Sequence, residues 1–258
     1  MGLYGKYFII HLKSQMQYKA SFFLTLLGQA LTTVVDFVGV YLLLTRFHTA
    51  GGFTVSEVML CFAVVLMAFS TSECFARGFD RFPTLLGNGQ FDRAMTRPRG
   101  LILQVLGSQI EFARLGRFVQ ALVMFAFVLP RCGVSWTADK ILTLALMILG
   151  GIVAFSGLFV IYASICFFTT EGLEFMNIFT DGGREFGSYP FSVYGEGILK
   201  FFTYVVPLAL FQYYPLLYLL GRTDNRLYML TPLCEFLFLI PCLLFWRFGV
   251  RHFRSTGS

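Results

Sequence analysis

The feature that most restricts the fold is an apolar run, Ile141–Phe168, that contains no charged residue. A helix needs about 20 apolar residues to cross the hydrocarbon core of a bilayer, so this run is long enough to span a membrane. Hydrophobic residues make up 57% of the chain and charged residues 13%, whereas soluble domains carry roughly 25% charged residues. The sequence therefore indicates a polytopic membrane protein.

Six apolar runs predict an all-α fold with six transmembrane helices in a single transmembrane domain, residues 1–258. The first half of the third run carries Glu111, Arg114 and Arg117, so we expect this half to protrude from the membrane or to lie at its interface. The predicted spans are about 21–45, 56–75, 103–130, 141–168, 198–213 and 228–248.

Residues 3–19 precede the first span and predict an N-terminal interfacial helix. Lysines occur at positions 6, 13 and 19 of this stretch, where their charged ends are able to reach anionic lipid headgroups. The opposite face is expected to contact lipid through Tyr4, Tyr7, Phe8, His11 and Leu12.

The fifth run is interrupted by Pro207 and Pro215. Each proline removes a backbone donor and disfavours a straight helix. We expect a fifth span that ends near Tyr213, followed by a short re-entrant helix on the outer side before the sixth span. A single kinked span is the alternative.

Basic residues predict the orientation of the chain. If the N-terminus is cytoplasmic, 15 of the 20 Lys and Arg residues fall on the inside and 5 on the outside. This strong bias predicts that both termini are cytoplasmic.

The sequence lacks the motifs of the common catalytic sites. The hexapeptide Leu85–Gln90, "LLGNGQ", resembles part of an ATPase signature, but the chain has no phosphate-binding loop. It also has no nucleophile elbow, no zinc-protease motif and no C-x-x-C pair. We therefore expect no catalytic residue, no metal, no bound cofactor and no nucleic-acid partner.

Residues 78–98, between spans two and three, instead predict a compact cytoplasmic knob. Phe-Asp-Arg occurs twice, at 79–81 and 91–93, and a Gly-Asn-Gly turn at 87–89 is expected to break the knob into two helical pieces. Aromatic and Arg side chains are enriched at protein interfaces, although a basic loop on anionic lipid is the alternative. The residues predicted to contact a partner are Phe79, Asp80, Arg81, Leu85, Phe91, Asp92, Arg93 and Arg97, and Phe82 is a further apolar anchor.

Ionisable residues inside predicted spans are costly and often functional. Asp36 lies in span one and Glu235 in span six, and we assign both, with Tyr41, to a candidate substrate pathway; structural pairing is the alternative. The polar stretch 169–196 is acidic, and it is interpreted as a cytoplasmic loop whose Glu171 and Glu174 are available to Arg residues.

Two stretches resemble a known family: Gly89–Pro98, "GQFDRAMTRP", and the tract Tyr189–Gly221. Nearly the whole chain is similar to the six-span permease subunits of bacterial type-2 ATP-binding-cassette (ABC) exporters. The resemblance implies a cytoplasmic coupling helix between spans two and three, a broken outer segment between spans five and six, and a location in the inner membrane.

The same resemblance implies a mechanism. Two permease chains, identical or homologous, would pair in the membrane above two ATPase subunits, which bind ATP and Mg²⁺ and receive the coupling segment. Two other functions remain open from the residues alone. One is an ion-coupled secondary transporter that uses Asp36 and Glu235, and the other is an integral membrane enzyme acting on lipids.

Overall fold

The computed structural model describes residues 2–47, 49–169 and 174–253, and these residues are mainly helical. Two short antiparallel strands, β1 Thr49–Ala50 and β2 Phe53–Thr54, form a hairpin. The helices are α1 Leu3–Gln15, α2 Lys19–Phe47, α3 Val55–Phe75, α4 Arg77–Asp80, α5 Phe82–Gly87, α6 Gln90–Met95, α7 Leu101–Leu106, α8 Leu115–Val128, α9 Ala138–Thr169, α10 Asp181–Gly187, α11 Glu196–Tyr204, α12 Leu208–Leu219, α13 Leu227–Leu230 and α14 Cys234–His252.

In the described part of the chain, five helical stretches are long and apolar enough to cross a membrane, and α11 with α12 forms a bent pair that brings the number to six if it is one span. The all-α, polytopic fold class is therefore confirmed. The five stretches are Leu3–Leu42, Val55–Phe75, Phe112–Arg131, Ala138–Thr169 and Leu227–His252.

Helix α3 is the centre of the bundle. Its apolar window is 89% buried, whereas that of Leu3–Leu42 is only 6% buried. Helix α8 packs between α2 and α3, and α9 packs against α3, α12 and α14. We call the end of the bundle that carries the strand pair the hairpin end, and the opposite end, which carries residues 78–98, the segment end.

Glycines bring α9 and α14 into close contact. A Cβ atom on Gly249 would collide with the ring of Phe167. A Cβ atom on Gly157 would lie 3.3 Å from both the sulfur of Cys242 and the ring of Phe238. The two helices therefore pack closely, with side chains of one helix lying against the glycine backbone of the other.

The third span begins later than predicted. Instead of a helix over 103–130, the chain forms α7, breaks at 107–111 and resumes as a membrane-length helical stretch from Phe112. The break is stabilised by Gln15, which donates to the Ile110 carbonyl at 2.5 Å and accepts from the Phe112 amide at 3.2 Å. His11 also contacts the Gly107 carbonyl at 3.0 Å.

The apolar face of α1 contacts the protein rather than lipid. Tyr4, Phe8 and Leu12 pack against a buried cluster formed by Cys74, Ile110 and Phe112. The prediction that these three side chains contact lipid is therefore wrong. They fill the space that the break between α7 and α8 leaves open.

The stretch 174–193, interpreted from sequence as a cytoplasmic loop, instead returns the chain from the segment end to the hairpin end. Gly187 lies against Val65 in the middle of α3, and Val193 contacts Gly51 in the strand hairpin. Two carbonyls at the end of α10 and just after it accept hydrogen bonds from Gln212 of α12, at 3.1 Å for Gly187 and 2.8 Å for Tyr189. Irregular backbone at membrane depth is tolerated where protein covers it. Glu171 of the same predicted loop lies outside the described residues.

Helices α11 and α12 are bent by 115° relative to each other. Leu208, at the bend, lies against Gly183, whereas Arg222, after α12, bonds the Gly52 carbonyl and Glu57 at the hairpin end. The pair therefore enters from the hairpin end and returns to it, so the predicted span 198–213 is wrong. The bend lies at 205–207 rather than at Pro215, which α12 accommodates in its interior.

Gln15→Ala should lower thermal stability because it leaves two buried backbone groups of the 107–111 break without partners. Each such group costs about 1–3 kcal/mol. Gln17→Ala is the matched control, since that side chain is exposed. The midpoint of thermal unfolding of the purified protein measures the difference, and equal midpoints for both variants would contradict the role of Gln15.

Candidate functional site

The candidate site consists of residues 78–98 and the spans to which they are fixed. The segment contains α5 and α6, separated by the predicted turn, in which Gly89 has a left-handed φ of 62°. The break at 87–89 is thus confirmed. Arg81, Thr84 and Asn88 are exposed polar residues in and beside α5, and we call the surface that they form the tip.

The phenylalanines of the segment are buried. Phe79, Phe82 and Phe91 are 2%, 0% and 0% exposed. Phe82 packs against Phe167 of α9 and Trp246 of α14, with ring centroids 4.9 and 5.0 Å apart. The expectation that these three rings form exposed anchors for a partner is therefore wrong; they fix the segment to its own spans.

The other residues predicted for this interface differ in their exposure. Arg81, Arg93 and Arg97 are exposed, and Leu85 and Asp92 are partly buried. Asp80 is paired with Arg77 at 2.7 Å. The structure thus leaves the arginines, rather than the aromatic rings, available at the surface.

Helix α7 holds the segment from its other side. Gln104 is buried and donates to the carbonyls of Ala94 at 3.1 Å and Arg99 at 3.0 Å. A Cβ atom on Gly78 would collide with the carbonyl oxygen of Val105. Position 78 therefore admits no side chain while α4 and α7 remain this close.

A buried ion network lies where the segment meets the membrane-spanning helices. Glu73, 3% exposed, accepts from Arg117 at 2.8 Å and from Arg77 at 3.3 Å, and Arg114 lies 3.5 Å away. Arg114 also bonds Gln29 of α2 at 3.3 Å. The network therefore joins α2, α3 and α8 to the first residue of α4.

Glu111 extends this network, lying 3.0 Å from Arg114 and 3.4 Å from Arg77. Burial by itself would raise the pKa of Glu111, but the charges of the two arginines and a hydrogen bond from Arg114 lower it below its ordinary value. With Asp80 included, three carboxylates face three guanidinium groups. The sequence analysis named Asp80, Glu111, Arg114 and Arg117 but did not predict their pairing.

A second polar group lies at the level of the middle of α3. Asp36 shares a small cavity with Arg184, Glu185 and Ser188, and the other walls are Phe62 and Leu66 of α3. Arg184 pairs with Glu185, and its guanidinium lies 5.5 Å from the ring centre of Phe69. The sequence singled out Asp36 but assigned Arg184 to the cytoplasm. The signal that was missed is Gly183, where a Cβ atom would lie 2.9 Å from Leu208, so that the absent side chain allows this stretch to approach the bundle closely.

The remaining pathway candidates lie apart from Asp36. Tyr41 lines a separate cavity of about 390 Å³ nearer the hairpin end, together with Phe127 and Arg131. Glu235 is 0% exposed, and neither carboxylate oxygen has a hydrogen-bond partner in the described part of the chain. Since α14 packs on α9 whereas α2 packs on α8 and α3, Asp36 and Glu235 do not form one site.

Phe91→Ala should destabilise the protein by about 3–5 kcal/mol, because it removes a ring from a fully packed cluster. Phe175→Ala is the control, since that ring is 49% exposed. Denaturant unfolding followed by tryptophan fluorescence reports the loss through Trp246. A loss no greater than that of Phe175→Ala would contradict the structural role.

Comparison with known proteins gives one match. A family model described as "ABC-2 family transporter protein" matches residues 30–257. No curated protein and no solved structure matches the chain. The matched range covers the segment 78–98 and each described element after the first part of α2.

Proposed function

Because the chain belongs to the ABC-2 family of transporter proteins, we propose that it is the permease subunit of a bacterial exporter whose ATP hydrolysis occurs on separate cytoplasmic ATPase subunits. The observation that carries the proposal is the segment 78–98, which has an exposed polar tip and is fixed to the membrane-spanning helices by buried rings and ion pairs. No residue of this chain takes part in covalent chemistry, and ATP and Mg²⁺ bind to the partner.

In this proposal the segment end faces the cytoplasm of the bacterial inner membrane, and both termini lie there. The reason is the concentration of basic residues at this end, in agreement with the positive-inside rule. It includes Arg77, Arg81, Arg93, Arg97, Arg99, Arg114, Arg117, Arg247 and Arg251.

The tip formed by Arg81, Thr84 and Asn88 is the proposed contact with one ATPase subunit, and two such subunits serve a pair of permease chains. A displacement of the tip passes to α9 and α14 through the rings of Phe82 and Phe91. It passes to α3 and α8 through the pairs that Glu73 makes. Motion at the ATPase is thereby converted into motion of the spans.

The proposed substrate pathway lies along the exposed face of α2, where a second permease chain, identical or homologous, completes the wall. Helix α2 has little contact with the rest of its own chain, and Asp36 on this helix is exposed. A charged acid at this depth costs about 2.5–3.5 kcal/mol on insertion scales. A polar pathway between two chains relieves that cost.

Arg81→Glu should weaken co-purification with the ATPase and reduce coupled ATP hydrolysis about tenfold, equivalent to ~1.4 kcal/mol. The reason is the reversal of an exposed charge at the proposed contact. Arg226→Glu, an exposed arginine at the hairpin end, is the matched control. Assays in proteoliposomes with co-expressed neighbouring gene products measure both quantities.

Identical behaviour of these two variants would contradict the docking surface. A purified chain that transports without any ATPase, driven by a proton gradient, would instead support the ion-coupled transporter.

Asp36→Cys should react with a charged, membrane-impermeant thiol reagent more than the parent chain does, because the proposed pathway contains water. Ile240→Cys should not, because that side chain, which is 53% exposed, belongs to α14, which packs on α9, and faces lipid in this proposal. Mass spectrometry of the labelled protein gives the amount of added reagent for each variant. Equal labelling at both positions would remove Asp36 from the pathway.

A further inference from the structure

A cavity of about 280 Å³ lies between α1, α6 and α7 at the segment end. Its walls combine polar side chains from three separate parts of the chain, so it is built by the fold rather than by one loop. The polar lining residues are Tyr7, Gln90, Arg93, Arg97, Gln104 and Ser108.

The cavity is strongly basic. Arg93 and Arg97 lie four residues apart and both line it, and no acidic residue is among the lining residues. The ion pairs found in the described ranges use other arginines: Arg77, Arg114, Arg117, Arg184 and Arg222. The cavity therefore has two positive charges that the described chain does not neutralise.

The depth of the cavity corresponds to the membrane interface. The helical run Leu3–Leu42 has 40 residues and is about 60 Å long at 1.5 Å per residue, twice the ~30 Å hydrocarbon core. Tyr7, near one end of this run, therefore lies outside the hydrocarbon. Lys6 and Lys13 are exposed on the same helix, and Tyr and Lys are typical of this level of a membrane.

We propose that this cavity binds a phosphate group. Guanidinium groups bind phosphate oxygens in a bidentate manner, and the Gln90 amide and Tyr7 hydroxyl supply neutral donors. Basic pockets at the cytoplasmic side of membrane helices recognise anionic headgroups in this way. A bound phosphate would join α1 to the segment 78–98. An anionic membrane surface would thereby stabilise the position of the segment against α1.

The test compares ligands that share the phosphate but differ in source. The full-length protein in detergent is titrated with dioctanoyl phosphatidylglycerol, dioctanoyl phosphatidylcholine or inorganic phosphate, and the unfolding midpoint is followed. Phosphatidylglycerol should raise the midpoint at lower concentration than phosphatidylcholine if the source is an anionic lipid. If the midpoint rises to a plateau with inorganic phosphate and no lipid, the phosphate site is supported and its source is a free anion.

The double variant Arg93→Gln/Arg97→Gln should require at least tenfold more ligand for half of the effect. Arg99→Gln is the matched control, because Arg99 is exposed on the same segment but does not line the cavity. Both variants should match the parent midpoint without ligand, since the changed side chains are exposed. An unchanged ligand response in the double variant overturns the proposal. A double variant that keeps this response but no longer binds the ATPase assigns both arginines to the protein partner instead.

Discussion

Much of the structure depends on one constraint, which is that each backbone group in an apolar surrounding must find a hydrogen-bond partner. Three glutamines meet this constraint where the helical pattern is interrupted. Gln15 donates to the Ile110 carbonyl in the break before α8. Gln104 donates to the Ala94 carbonyl in the segment 78–98, and Gln212 donates to the Gly187 carbonyl in the crossing 174–193. Their side-chain amides replace the backbone hydrogen-bond partners that a continuous helix would supply. Gln15 and Gln212 thereby connect parts of the chain that are distant in sequence, whereas Gln104 connects α7 to the nearby end of α6.

These connections explain how a small chain combines irregular segments with a packed bundle. The crossing at 174–193 is not one continuous helix but α10 with short turns on either side, and it passes between α3 and α12 because two of its carbonyls are bonded and its glycines allow close approach. The re-entrant pair α11–α12 then returns to the same end of the bundle. The polar group at Asp36 and Arg184 exists because this crossing carries charged residues past the middle of α3.

The sequence was sufficient for the fold class and for most of the long helices, because length and hydropathy determine which segments are able to cross a bilayer. It was insufficient where a distant side chain decides the outcome. Nothing in the run 103–130 shows that Gln15 stabilises a break within it. Nothing near Phe91 shows that Trp246 lies beside it. The local rule that exposed aromatic residues favour an interface was therefore applied to rings that are buried.

The charge count failed at Arg184 for a related reason, since an arginine was assumed to lie outside the membrane. Its pairing with Glu185 and its position over Phe69 are tertiary features. By contrast, the Gly-Asn-Gly turn was predicted correctly, because a left-handed glycine is a local property of the chain. The candidate site was thus located by sequence, whereas its internal contacts required the fold.

The close packing of α9 against α14 has a consequence for how the chain is able to move. The segment 78–98 is attached to this rigid pair by aromatic rings and to α3 and α8 by ion pairs. Dispersion contacts are lost within about 1 Å of separation, whereas Coulomb attraction declines only as the inverse of distance. We therefore expect the two attachments to respond differently when the segment is displaced. The ring-packed side moves as one body, and the arginines around Glu73 slide and exchange partners while they remain attracted.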